Sequence, residues 1–231
     1  NMVSLVDDRE PRQEPPQQRT RPAQEARPVD IRLGVVAQAH ASSRVKIGST
    51  TVLCALRMVP RREHKVVLCE GATNETVRLA VERAIVLERL PKVSLSLKFV
   101  LWSGDCDLCA SVVAASLAVA DAGIECFGLV AAVGVGVHPE THELLVDPLA
   151  SEVPEGPDLV VACVGDRYAT AVLYSKPNAT GANLRDMARL AADAARASVL
   201  PDMAAALKDD RRRSSSTRQE EQIPKDDAFL L

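Results

Sequence analysis

The chain has 231 residues, of which 47% are hydrophobic, 26% charged and only 3% aromatic, and its formal net charge is −3. This composition is globular with an aliphatic core and excludes a collagen repeat, a coiled coil and wholesale disorder. It provides no overall basic field, so any contact with nucleic acid has to come from local clusters. The richest apolar stretch, Ser111 to Val137, is interrupted by Asp121 and Glu125, so no bilayer span and no membrane association are expected.

The opening residues, which include Asp7, Asp8, Arg9 and Glu10, lack the basic flank and apolar run of a secretory signal. The six cysteines, Cys54, Cys69, Cys106, Cys109, Cys126 and Cys163, are therefore read as reduced thiols, most of them inside aliphatic elements. Residues 1–28 are rich in Pro, Gln, Arg and Glu and offer little to bury, which predicts a flexible arm. From there β-branched runs predict strands at Ile31 to Gln38, Arg44 to Lys46, Thr51 to Arg57, Lys65 to Cys69 and Leu95 to Leu101, with a turn at Ile47-Gly48-Ser49-Thr50. A first helix is predicted over Glu75 to Leu90, stopped by Pro91, and a second over Cys109 to Ala122, apolar nearly all round and ended by Gly123.

Further strands are predicted at Phe127 to Val137, Glu143 to Val146, Leu159 to Val164 and Ala169 to Tyr174. A last long helix starts near Asn183, and Pro201 should kink or split it. After Lys208 the charge-mixed composition predicts a disordered tail over 209–231, leaving 29–208 as the folded domain, although Phe229, Leu230 and Leu231 form an apolar tag at its end. Consecutive strands with helices packed on one side predict an α/β (α+β) sandwich of mixed sheets rather than a doubly wound sheet.

The turn Gly104-Asp105-Cys106-Asp107 joins a strand to the buried helix, a place where backbone N–H groups gather anions. Asp105 and Asp107 already complement the helix dipole there, and a phosphate arriving within about 4 Å would meet like charge at a cost of up to ~4 kcal/mol per contact. The turn therefore reads as a cap. Cys106 and Cys109 have a C-x-x-C spacing with no second pair, and His138 and His142 lie on a loop with no fixed face, so no metal or other cofactor is expected. Asp147 and Glu152 are candidates for paired carboxylates, although Asp-Pro is also an ordinary turn starter. Arg61, Arg62, His64 and Lys65 form the densest basic cluster, and Arg61, Arg62 and Lys65 are candidate RNA contacts; a solvated loop is the bland alternative. Arg211-Arg212-Arg213-Ser214-Ser215-Ser216 is read as part of the polar tail.

The segments Arg27-Pro-Val-Asp-Ile-Arg-Leu-Gly-Val-Val-Ala-Gln-Ala39, Val45-Lys-Ile-Gly-Ser-Thr-Thr-Val-Leu-Cys-Ala-Leu56, Ala114-Ala-Ser-Leu-Ala-Val-Ala-Asp-Ala-Gly-Ile124 and Leu145-Val-Asp-Pro148, in this order, resemble the RNase PH family over about Arg27 to Lys208. Within the family, the Ala-Gln-Ala segment and Ile124-Glu125 look most like the eukaryotic exosome ring subunit named for messenger RNA transport. The resemblance implies a sheet-and-helix sandwich and a six-member ring of RNase PH-like subunits around an RNA channel, topped by a cap subunit with S1 and KH modules. It also implies a nuclear, nucleolar and cytoplasmic location.

Active members of the family use inorganic phosphate to release nucleoside diphosphates from RNA 3′ ends, which requires an anion pocket and carboxylates. Their Asp-Gly-Gly-Thr-Arg pattern falls here on Gly104, Asp105, Cys106, Asp107 and Leu108, so the phosphate-binding Arg is replaced by Leu108. Their first catalytic Asp falls on Asp147 and their second on Val153. The resemblance thus predicts a degenerate phosphate site, a broken acid pair and a non-catalytic structural subunit. A phosphorolytic enzyme using Asp147 and Glu152 is the competing expectation, and an isolated RNA-binding module is a third.

Overall fold

Hairpins dominate the first half of the chain because short β-branched runs are separated by tight turns. The computed structural model describes residues 21–61, 66–70, 74–103, 107–165, 168–176 and 181–221. β1 (Val29–Leu33), β2 (Ala41–Ile47) and β3 (Thr50–Pro60) pair antiparallel in sequence, and β3 continues onto β5 (Val93–Ser103). β4 (Val67–Glu70) lies parallel to β5, and the crossover between them carries α1 (Asn74–Glu82). The resulting sheet has the order β1-β2-β3-β5-β4.

A second sheet, β7-β6-β8-β9, is antiparallel throughout and uses β6 (Val130–Val137), β7 (Leu144–Val146), β8 (Leu159–Val164) and β9 (Tyr168–Ser175). α2 (Asp107–Asp121) lies between the sheets, against β2 and β3 on one side and β6 on the other, while α3 (Gly181–Ala194) packs on β6 and β8. This is the α/β sandwich expected.

The strands obey their environments. Val45 and Ile47 on β2 and Val52, Cys54 and Leu56 on β3 are buried, whereas Arg44 and Lys46 between them are not, as for a sheet with one covered face. β6 is buried along nearly its whole length, and its glycines allow close approach: a Cβ at Gly136 would lie 3.2 Å from Pro148 and 3.3 Å from Val153. α2 is small and aliphatic on every side, which suits a helix with protein all round it. Its contacts to both sheets are tied by serines: the Ser43 hydroxyl donates to the Ala114 carbonyl at 2.7 Å, and Ser116 Oγ accepts the Val130 N–H at 2.8 Å.

Several expected boundaries shift for physical reasons. β1 stops at Leu33 because Gly34 turns through φ +65° and donates to the Ser42 carbonyl, so Val35 to Gln38 are not strand. α1 ends at Glu82 rather than Leu90. Ile85 bridges to Cys126 and the Val86 N–H donates to the Glu125 carbonyl, and these tertiary bonds replace helical ones before a short 3-10 turn at Leu87–Arg89. Pro201 does not split the last helix. A π-helical turn at Ala195–Val199 precedes it and absorbs the missing N–H, and α4 (Leu200–Glu221) follows directly.

α4 passes the Lys208 boundary at which the sequence reading starts a disordered tail. The polar run 209–213 withholds burial, yet Arg is a good helix former, so polarity alone does not end the helix. At the other end, Ala26 and Arg27 are buried, so the last residues of the expected arm belong to the folded body. Among the described residues no helix is long and apolar enough to cross a membrane.

Candidate functional site

One end of the five-stranded sheet gathers the residues that the sequence singles out far apart. The register pairs Val29 with Ile47, Ile47 with Thr50, and Thr51 with Ser103. The segment entering β1, the β2–β3 turn and the end of β5 therefore meet, and α2 begins four residues after Ser103. Gly48 makes that turn at φ +60°, a conformation that favours glycine. Its bare Cα also leaves room for Arg27, since a Cβ there would lie 2.4 Å from Arg27 Nη1.

Arg27 is held on Asp147. Its Nε donates to Oδ2 at 2.7 Å, its Nη2 to Oδ1 at 2.7 Å, and its backbone N–H to Oδ2 at 3.1 Å. Both side chains are 9% exposed. Arg21 Nη2 donates to the Asp147 carbonyl, and the Val146 N–H donates to the Ala23 carbonyl at 2.8 Å, so residues 21–27 cover the outer edge of β7. Asp147 adopts φ +49° and donates its own N–H to the Gly134 carbonyl at 2.7 Å, which fixes the carboxylate from behind.

A fork-to-fork pair out of water is strong in geometry and costly to break: removing one partner strands a buried charge at about 3–5 kcal/mol. A carboxylate used as a base or metal ligand needs a lone pair facing the reactant. Three of the four lone-pair sites of Asp147 face the Arg27 guanidinium and N–H.

The acid expected beside it is likewise committed. Glu152 turns back so that its Oε2 accepts the Leu149 N–H at 2.8 Å. Val153, where the resemblance places the family's second acid, is 6% exposed and packs on Gly136. Of the residues expected to form a degenerate phosphate site, Asp105 and Cys106 lie outside the described residues, Asp107 opens α2, and Leu108 is half-buried against the core. An aliphatic side chain therefore stands where the resemblance places the phosphate-binding Arg.

Arg61, grouped by sequence with the RNA contacts, donates from Nη2 to the carbonyls of Leu90, at 2.5 Å, and Val93, at 3.1 Å. Arg62 and Lys65 lie outside the described residues. His138 Nδ1 accepts the N–H groups of Glu140 and Thr141, both at 3.3 Å, so this imidazole organises its own loop. Among the described residues no group of three or more His, Cys, Asp and Glu is placed to hold a metal. Cys54, Cys69, Cys109, Cys126 and Cys163 are free thiols. Burial pushes Cys69 up to about 12 and Cys126 up to about 11, and it raises Cys54 as well, so these three are protonated near neutral pH.

Sequence reasoning missed Arg27. It appears in the motif Arg27-Pro28, but a lone arginine beside a proline carries no sign that it will be buried on a carboxylate 120 positions away.

The comparisons bear on the same region. The family model for the RNase PH 3′ exoribonuclease family, domain 1, matches residues 25–65, a span that takes in Arg27, the β2–β3 turn and the first three strands. Over that span the chain matches the RNase PH family. Among its relatives, an exosome complex component RRP41-like of Arabidopsis thaliana is 27% identical over 197 residues, covering 74% of this chain and 76% of that protein. Exosome complex component MTR3 of Mus musculus is 29% identical over 168 residues, covering 54% of this chain and 62% of that protein, just under two thirds of its length. The crystal structure of rice (Oryza sativa) Rrp46 superposes with a TM-score of 0.68 at 19% identity, covering 82% of this chain and 98% of that one, a likeness of fold.

Proposed function

We propose that this chain is a non-catalytic subunit of an exosome-type ring. In this role it supports 3′–5′ RNA processing and degradation through assembly. Its partners are other RNase PH-like subunits in a six-member ring, with RNA threading the channel and a cap subunit with S1 and KH modules above. Its location is the nucleus, nucleolus and cytoplasm. Arg62 and Lys65 are candidate RNA contacts in this reading.

The observation that carries the non-catalytic assignment is the buried Arg27–Asp147 pair, which occupies both oxygens of the one acid that matches the family's catalytic pattern. Val153 and Leu108 add the loss of the second acid and of the anion clamp, each an interaction aimed at transition-state charge. The relatives named as exosome components support the assembly half of the proposal.

The test is phosphate-dependent release of nucleoside diphosphates from single-stranded RNA, measured for the chain alone and co-expressed with RNase PH-like partners. The expected result is stable co-elution with no release attributable to this chain. Release that disappears in Asp147→Asn would instead establish the phosphorolytic enzyme.

A further inference from the structure

The five-stranded sheet has α2 on one face; on the other, Asp30, Arg32, Lys46, Arg57, Lys98 and Val100 are exposed, while Ser42 is buried with its hydroxyl on the Val36 N–H. Residues paired across strands share a face. The register therefore sets Arg32, Arg44, Leu53 and Val100 in one row of the open face, Asp30, Lys46 and Thr51 in the next, and Ala55, Lys98 and Glu70 in another, with Arg57 beyond. Five bases thus stand against two acids on this face, although the chain as a whole carries −3.

Both acids are already engaged: Asp30 with Arg44 at 2.7 Å and Glu70 with Lys98 at 2.8 Å. Arg32, Lys46 and Arg57 have no ion pair among the described residues. Arg32 also sits directly opposite Arg44, and like charges in register destabilise a sheet unless an anion offsets them. Asp209 and Asp210 of α4 come up at the β1 margin, where they line a cavity of about 470 Å³ with Asp30 and Arg32 and so bound the basic area on that side.

At the opposite margin the apolar positions are unusually open. Val100 is 54% exposed and Trp102, next to an irregularity in the β3–β5 pairing, is 74% exposed. Protein interfaces are depleted in lysine and in charge at their centres. Sheet faces that carry bases without internal partners suit the phosphates of an extended nucleic-acid strand instead.

We propose that this face binds single-stranded RNA, with Arg32, Lys46 and Arg57 against phosphates. The proposal rests on the RNA-handling reading above and names where RNA touches the chain. Its test does not require a ring.

Fluorescence anisotropy of a labelled uridine-rich single-stranded RNA is read against the full chain over a salt series. Lys46→Gln and Arg57→Gln should each weaken binding several-fold and flatten the slope of log affinity against log salt by about 0.7 per contact. Lys46→Arg should retain binding, and far-UV circular dichroism and melting confirm that each variant folds. The proposal is overturned if the wild type shows no salt-dependent binding or if folded variants bind as the wild type does. It is also overturned if the variants lose co-elution with RNase PH-like partners at unchanged RNA affinity, which would make the face a protein interface. Failure of the wild type to co-elute, with RNA binding still lost in the variants, would sink the ring assignment and leave this face standing.

Discussion

The Asp147 corner and the open sheet face are built from the same residue types and use them in opposite ways. At the corner, Arg27 and Asp147 spend their hydrogen-bonding capacity on each other inside the protein. On the open face, Arg32, Lys46 and Arg57 are exposed and have no ion-pair partner among the described residues. Buried polar groups survive only when their bonds are made within the fold, so a committed carboxylate signals structure. Unpaired exposed charge, by contrast, remains available to a ligand.

The largest expected effect comes from the corner. Arg27→Ala removes the guanidinium from the buried Asp147 carboxylate, leaving it the residue-27 N–H and the more distant Arg21 at 3.8 Å, and should destabilise the chain by up to about 3–5 kcal/mol in denaturant titration; a change below 1 kcal/mol would erase the contrast with the open face. Gly48→Ala should cost about 1–3 kcal/mol through its left-handed backbone and its collision with Arg27, and the cost should shrink in an Arg27→Ala background.

The core thiols sharpen the comparison through pH. An unfolded thiol ionises near pH 9, whereas burial raises folded Cys69 to about 12 and folded Cys126 to about 11. The unfolded chain therefore loses these protons first. Their contribution to stability should be intact below about pH 9 and lost as pH rises toward 11–12, and replacing both by Ala should flatten that alkaline fall. The smallest effect belongs to the open face: Arg44→Ala breaks an exposed pair with Asp30 and should move stability by no more than about 1 kcal/mol, less at high salt.

Much of the fold was legible in local pattern. β8 starts and stops where the aliphatic run Leu159 to Val164 does, and the all-round apolar α2 was readable as a helix enclosed by protein. Periodicity failed where long-range bonds override it. Ile85 and Val86 continue the helical stripe of α1 yet bond to the Glu125–Cys126 segment, and no local window contains both partners. Pro201 likewise predicted a kink or a split, and the neighbouring π turn carries the helix through without a split. At the site, the resemblance set Leu108 and Val153 at positions where active members carry an Arg and an Asp, an expectation readable in one dimension because it needs only motif positions. The fate of Asp147 was not visible, since the residues that engage it arrive from 21–27, a polar segment whose composition predicts no order.

The most direct measurement is a double-mutant cycle on Arg27→Ala and Asp147→Ala, read as unfolding free energy in the full chain. If Asp147 serves the fold, each single change is severe and the double is little worse than either, giving a coupling of at least about 0.5–3 kcal/mol. If the two changes simply add, or Asp147→Ala leaves stability untouched, the carboxylate is not an anchor and the non-catalytic assignment loses its main support.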